Sequence, residues 1–476
     1  MTLRSLFVDF NSYFASVEQQ ADAALRGRPV GVVPVMAETT CCIAASAEAK
    51  KHGVKTGTLV REARKLCPQI ALVPAQPSLY IGYHNKLIAA IGDCIPISGK
   101  PPSIDEVACE LIGRERERGN AVKIARQIKA AVCDVGDWLR CSIGIAPNHF
   151  LAKTASDMDK EDGLVVLGPS DLPHALYRFD LNDLCGIGAN MGERLRACGI
   201  DSVERLCAAD KPTLREIWGG IEGERFHDAL RGVWQPHRDP QRASIGHSHV
   251  LGPELRSAAG ARAVLVKLLA KAAMRLRHEG YVAAALSVRI KHVGADAWAA
   301  DVRFEATDDS RGFLRQLESA LARRDRHTHR LPLRGDKPAP LAVGVTLHRL
   351  QRRAESNGSL FTDEKRTRAL NGVIDRINYK FGNNTLYFGA MQAALGAAPM
   401  RIPFQHVPDV ALERDAEHDE LWLQRKRQFN RLAEAEHKKQ EARYPRSRDS
   451  RNANFASRDI ACAMLHAIEG NGAEST

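Results

Sequence analysis

The chain has 476 residues, 44% of them hydrophobic, and a formal net charge of +11. That length suits about three domains with real cores, while no apolar run nears the roughly 20 residues that cross a bilayer, and the opening MTLRSLFVDF lacks a secretory leader. Eleven cysteines without a C-x-x-C spacing argue against zinc ribbons and for free thiols in a reducing compartment, so a cytoplasmic protein is expected.

Residues 3–10, LRSLFVDF, read as a short buried strand that ends in the acid Asp9. NSYFASVEQQADAAL follows as a helix capped by Asn11 or Ser12, with Phe14, Val17 and Ala21 at helical spacing. GRPVGVVPV reads as a strand and AEAKKHG as a short helix closed by Gly53. Residues 100–112 read as a strand hairpin with Asp105 and Glu106 near its tip. GNAVKIARQIKAAVCDVG then reads as an amphipathic helix and LRCSIGIA as a further strand. This alternation predicts an α/β sheet with helices on one side.

From residue 182 the texture changes to short helices broken by glycine, LCGIGANMGERLRACGIDSVERLC. WQPHRDPQRA, at 234–243, reads as a linker. Between Gln241 and Glu355, 21 Lys plus Arg stand against 11 Asp plus Glu, so nearly the whole positive surplus falls in a quarter of the chain. A basic module beside a near-neutral remainder points to a polyanion such as nucleic acid. In the tail, DELWLQRKRQFNRLAEAEHKKQEAR reads as a heavily charged helix, and the last twenty-odd residues read as poorly ordered.

The chemistry centres on SIDEVACEL, residues 103–111, where Asp105 and Glu106 lie side by side among apolar neighbours. A buried carboxylate pair repels itself unless a cation compensates. Mg²⁺ takes carboxylate oxygens and completes its shell with water and substrate phosphates. A two-metal phosphoryl-transfer site needs a further acid, and Asp9, just before a helix N-terminus, is the natural candidate. The amides at that helix start, around Asn11, Ser12, Tyr13 and Phe14, would then suit a phosphate. The plainer alternative is that Asp9 is a cap and the tandem acids an exposed turn.

FVDFNSYFASVE, SIDE and IGIAPNHFLAKTASDMDKEDGLVVL together resemble the Y-family of lesion-bypass DNA polymerases, the group containing DinB and UmuC. The likeness runs from residue 3 to at least 350, with the motifs in the family's order. It implies an α/β (α+β) right-hand polymerase with a ferredoxin-like palm at 1–19 and 76–165 and fingers at 20–75. A helix-hairpin-helix thumb at 166–235, a linker at 236–244, a DNA-gripping little finger at 245–350 and a tail at 351–476 would follow. It also implies that Asp9, Asp105 and Glu106, with the Phe10 carbonyl, hold two Mg²⁺ ions, and that the substrates are dNTPs and primer-template DNA. Lys160 matches the family's phosphate-contacting lysine, and Lys50 a fingers position that is often arginine. Phe14 matches the aromatic that excludes a ribose 2′-hydroxyl. The fingers stretch departs from S-Y-E-A-R, with Ala47 for tyrosine and Lys50 for arginine, which points to weaker nucleotide affinity. Without the resemblance, Lys50 and Lys160 read as residues of a solvated helix face, and helix core is the alternative for Phe14.

Gly186 and Gly188 open the helix-hairpin-helix, where tight turning and free helix-start amides would meet a phosphate; an ordinary helical hairpin is the alternative. Arg289 and Lys291, alternate residues of ALSVRIKHV, would meet the DNA backbone. Leu360 and Phe361, in NGSLFTD, sit where bacterial members carry a sliding-clamp peptide, although Asn357 and Gly358 depart from that pattern; a linker packing on the tail is the alternative. INYKFGNNTLYFGA resembles the C-terminal extension of UmuC-like members, implying an SOS role with a UmuD-like or recombinase partner. With every segment assigned, none is left for a proofreading exonuclease. Two rivals stand beside the error-prone polymerase: a clamp-binding scaffold that has lost catalysis, and a nucleotide cyclase on a similar palm. The cyclase leaves the hairpin motif and the basic module unexplained.

Overall fold

A computed structural model of the chain describes residues 2–34, 36, 38, 40–236, 242–330, 338–356, 364–400 and 407–416. Leu360 and Phe361 lie outside the described residues, as do the charged run from 417 and the last residues.

Strand β1 (Ser5–Phe10) is covered on both faces, as a central strand is. It leads into helix α1 (Tyr13–Ala21), whose N-cap position is Ser12 in the left-handed region (φ 49°) with no side-chain cap. The expected capping hydroxyl is therefore engaged elsewhere. A small sheet follows, built from β2 (Val30–Val33), β3 (Ala44–Ala45), helices α2 (Ala47–Lys51) and α3 (Val60–Leu66), and β4 (Ala71–Pro74). Its strand order is β3-β2-β4, around a compact core that includes Val33, Cys42, Ala49, Val60 and Ile70. Ser46 caps α2 through its hydroxyl, and Gly53 turns the chain away at φ 86°.

The chain returns through α4 (Pro77–Cys94), β5 (Glu106–Glu110), α5 (Arg118–Val135), β6 (Cys141–Ala146), α6 (His149–Met158) and β7 (Leu164–Val166). These join β1 in a four-stranded sheet of order β5-β1-β6-β7. Of the expected 100–112 hairpin only β5 is a regular strand; the other leg touches it through isolated bridges at Ile97 and Ser103. Strand alternation sends Leu6, Val8 and Phe10 into one core with Leu87, Ile91, Ile128 and Val132 of α4 and α5. Phe7, Ala108 and Ala146 face the opposite way, toward Leu151, Ala152 and Ala155 of α6. Helices thus cover both faces, correcting the one-sided expectation: α6 is the crossover that parallel β6 and β7 require. Gly144 permits this, because a Cβ there would stand 1.9 Å from the Ala152 carbonyl oxygen. The expected boundary at 165 cuts through β7, so this sheet extends past it.

Helices α7 (Ala189–Ala197), α8 (Val203–Ala208), α9 (Lys211–Trp218) and α10 (Ile221–Leu230) form a helical module whose core runs on from the α6 face of the sheet. Asn148 ties the two: its Oδ1 accepts from the Leu151 amide and caps α6, while its Nδ2 donates to the Ala229 and Val233 carbonyls. In the expected helix-hairpin-helix, the first helix is a single 3₁₀ turn, Leu181–Asp183.

Beyond the linker, β8 (Ser244–Val250), α11 (Ala258–His278), β9 (Tyr281–His292), β10 (Ala295–Thr307), α12 (Ser310–Arg330) and β11 (Pro340–Arg352) build an antiparallel sheet of order β10-β9-β11-β8 with two helices. Here too the expected limit, at 350, falls inside a strand. Helix α13 (Glu364–Phe381), a 3₁₀ segment at Gly389–Ala394 and α14 (Val410–Glu413) then fold back over α11. Lys267 of α11, fully buried, donates to the carbonyls of Leu395 and Ala397 and to Asp415 at 2.7, 2.6 and 2.8 Å. Burial pulls this ammonium below its ordinary pKa, and Asp415 pushes against that. The stretch INYKFGNNTLYFGA is therefore a layer of this module rather than an extended tail. All ten cysteines among the described residues are free thiols, and no helix among them is long and apolar enough to cross a membrane.

Candidate active site

Antiparallel register brings the expected acids together. Asp9 of β1 is the cross-strand partner of Glu106, and the Phe10 amide donates to the Asp105 carbonyl at 2.8 Å. Directly opposed residues share a face and place their Cβ atoms roughly 5 Å apart. That face is the one Phe7 shows to α6, so the helix can deliver countercharge. Lys153 Nζ lies 2.5 Å from Glu106 Oε1 and above the Phe7 ring. Lys160 Nζ lies 3.1 Å from Asp9 Oδ1 and 2.6 Å from Asp157 Oδ1. Ser103 Oγ donates to Asp105 Oδ1 at 2.6 Å.

Burial pushes the Asp9 carboxyl up to about 7, with Lys160 pulling it back and Asp157 and Asp105 adding to the rise. Burial likewise raises Asp105, opposed by the Ser103 hydrogen bond and reinforced by Glu106. Burial works against the Lys153 and Lys160 ammonium groups, yet their carboxylate partners hold both above the ordinary lysine value. The site is thus short of positive charge even with two lysines supplied. Among the described residues no three acids, histidines or cysteines stand arranged as a finished metal cage. Asp9 and Glu106 are instead each turned to a lysine. The donor set, carboxylates beside a backbone carbonyl, is all hard oxygen and fits a divalent cation of the Mg²⁺ type.

Residues 11–14 divide their roles. Asn11 is buried: its amide donates to the Arg140 carbonyl, its Nδ2 to Ser142 Oγ, and its Oδ1 accepts from the Asp162 amide. It braces the site from behind rather than offering its amide to a phosphate. Tyr13 is buried as well, its hydroxyl donating to the Tyr80 carbonyl at 2.7 Å. Ser12 faces the front, where its hydroxyl donates to Glu161 Oε1 at 2.9 Å. Lys50 reaches the same oxygen at 3.2 Å, bringing the small sheet's α2 to the end of α6. Phe14 is only 6% exposed and stacks on Tyr80, with centroids 4.6 Å apart and planes at 16°. Tyr80 is pinned in turn by Glu18, which accepts its hydroxyl at 2.5 Å and the Gln76 amide at 2.9 Å.

Lys153, Ser103 and Glu161 escaped the sequence reading. Lys153 carried a usable signal, since it stands one helical turn before Asp157 inside the quoted motif. Elsewhere, Gly186 has the positive φ (90°) that a tight turn needs, but Gly188 has none and has open space around its Cβ position. Gly188 is instead the N-cap of α7, so of the two only Gly186 is required by the turn. Arg289 and Lys291 are exposed on β9, alternating with buried Val288 and Ile290. On the same outer face Asp301 is tied to Ser287 and His348, hydrogen bonds that lower its pKa.

Comparison with known proteins agrees with this arrangement. Residues 8–157 match the model of the impB/mucB/samB family, and residues 242–360 match that family's C-terminal domain. The chain is 32% identical over 394 residues to DNA polymerase IV of Moorella thermoacetica, covering 80% of this chain and 94% of the relative. It is 31% identical to DNA polymerase IV of Pelotomaculum thermopropionicum, with 80% and 93% covered. A solved Y-family DNA polymerase chimera of Dbh and Dpo4 superposes with a TM-score of 0.59 at 23% identity, covering 73% of this chain and 98% of the other, a likeness of fold. Matched in both segments and along nearly the full length of these relatives, the chain belongs to the impB/mucB/samB family, the DinB-like Y-family of DNA polymerases.

Proposed function

We infer that the protein is a template-directed, error-prone DNA polymerase of translesion synthesis, transferring nucleotides from dNTPs to a primer 3′-hydroxyl without proofreading. The observation that carries the reading is the cross-strand pairing of Asp9 with Glu106 beside Asp105 on a face supplied with lysines. In this reading the first sheet is the palm, the small sheet the fingers, the helical module the thumb and the C-terminal sheet the little finger.

Asp9, Asp105 and Glu106, with the Phe10 carbonyl, would hold two Mg²⁺ ions. Bound there, these ions would lower the pKa of the primer hydroxyl and neutralise the triphosphate and its leaving group. Lys153 keeps Glu106 in place through their 2.5 Å ion pair. Lys160, next to Asp9, supplies a point charge to the phosphates, and the helix start at Ser12–Phe14 supplies amides. The Phe14 ring, fixed against Tyr80, walls the sugar pocket. Template-dependent primer extension with Mg²⁺, on an intact template and on one with an abasic site, tests the reading; no incorporation on either template would overturn it.

Two expected results follow. Phe14→Ala should weaken discrimination against ribonucleotides by roughly 10²-fold in competitive incorporation, because a rigid wall is lost at the 2′ position. Unchanged discrimination would leave Phe14 as core packing only. Replacing Arg289 and Lys291 with alanine should weaken binding to DNA of any sequence and flatten the plot of log affinity against log salt by about two charges' worth. An unaltered slope would remove β9 from the DNA contact.

A scaffold without catalysis draws no support, since the relatives matched are named as polymerases and the three acids are in place. A sliding-clamp contact through Leu360 and Phe361, and a UmuD-like or recombinase partner, rest on the sequence resemblance alone.

A further inference from the structure

Two residues matched to the nucleotide site, Ser12 and Lys50, already hold through their side chains an anion that belongs to the chain. Ser12 Oγ, at the start of α1, and Lys50 Nζ, on α2, converge on a single oxygen, Oε1 of Glu161, at 2.9 and 3.2 Å. The three residues come from separate elements, 149 and 111 positions apart in sequence. Glu161 follows directly on Lys160, whose own ammonium is held by Asp9 and Asp157. A carboxylate oxygen accepting one hydroxyl and one ammonium is held as a phosphate oxygen would be, by the same kinds of donor at the same distances. The Glu161 side chain is 31% exposed and that of Lys50 43% exposed, so the contact can open without unpacking a core.

We propose that Glu161 is a built-in competitor of the incoming nucleotide, a carboxylate that occupies the Ser12 and Lys50 phosphate donors in the empty site and is displaced when a dNTP binds. This deepens the polymerase reading and rests on the assignment of Ser12 and Lys50 to the nucleotide site. Two effects act together. The donors must exchange Glu161 for phosphate, so part of their attraction is cancelled. Once displaced, the carboxylate remains beside a polyanion and repels it. Both effects oppose ground-state binding and neither touches the reacting atoms, so they appear in KM more than in kcat. Glu161 meets only the phosphate end, so it weakens right and wrong nucleotides alike.

The test uses the full chain on primer-template DNA, with single-nucleotide incorporation across a dNTP titration and with equilibrium dNTP binding on a dideoxy-terminated primer in Mg²⁺. Glu161→Gln keeps the shape and removes the charge. It should lower both KM and the dissociation constant by roughly fivefold, equally for matched and mismatched dNTPs. Lys50→Ala should raise both. An E161Q protein whose KM and dissociation constant stay level or rise, while K50A raises them, overturns the competitor and leaves the nucleotide site standing. A K50A protein with unchanged dNTP binding removes the site assignment, and the competitor with it. Matched melting curves for wild type and variants separate either result from misfolding.

Discussion

Replacing Asp105 or Asp9 with alanine is expected to cut Mg²⁺-dependent primer extension by roughly 10³-fold or more while leaving the protein folded. The catalytic loss follows because each carboxylate has a geometrically fixed task that no neighbour can assume. Asp9 sits in ladder register with Glu106, and Asp105 is fixed by Ser103 and by its carbonyl bond to Phe10. Stability should move the other way. Asp9 titrates near 7 in the fold against 3.8 ordinarily, so the folded chain holds this proton more tightly than the unfolded one. Its contribution is therefore complete below pH 3.8 and is lost as pH climbs toward 7, leaving the ionised acid as a burden on the metal-free fold at higher pH. Asp9→Asn should remove that loss, so its melting temperature should exceed wild type at pH 8 without metal and converge with it at low pH. Mg²⁺ uptake by the wild type should release a proton below about pH 7, visible as buffer-dependent heats in calorimetry. Substantial extension by Asp105→Ala, or stability of Asp9→Asn that tracks wild type at every pH, would contradict this account.

Gly144→Ala should be nearly as damaging without altering any group that meets substrate. The added methyl would lie 1.9 Å from the Ala152 carbonyl oxygen, 2.5 Å from the Ser156 nitrogen and 2.8 Å from the Ala155 Cβ. Two of these atoms are helix backbone and cannot swing aside, so α6 must lift from the sheet. Overpacking of this kind costs about 3 kcal/mol. The same displacement would withdraw Lys153 from Glu106 and, through the end of the helix, Lys160 from Asp9. A lowered urea midpoint together with lost extension is the expected pair of results. A normal midpoint would show that α6 can shift without penalty.

What the sequence disclosed is what short-range pattern encodes. Asp9 at the end of an apolar strand, the tandem acids, the α5 periodicity and the Arg289–Lys291 alternation all follow from strand and helix periods. The tertiary partners did not show. Nothing near Asn11 announces that its amide belongs to the Arg140 carbonyl, or that Ser12 would take a left-handed turn and send its hydroxyl to Glu161. Placing α6 on the second face depended on one glycine in a strand, a residue that sequence reasoning treats as a weak point rather than as clearance for a helix. Lys267 and Lys271, set in the run LVKLLAKAAM, look like ordinary solvated charges until the chain supplies Asp415 some 148 positions later.

That last bond redraws the edge of the C-terminal module. The family match stops at residue 360, yet the ammonium of Lys267 has its carbonyl and carboxylate partners at 395, 397 and 415. A fragment ending at residue 360 would lose these partners together with the layer that buries Lys267, leaving the ammonium hydrated and exposing the apolar residues of α11 that share a core with Met391 and Ala394. The folded unit that begins with β8 therefore runs past the matched segment as far as Asp415, whose carboxylate and the carbonyls before it close the core over α11.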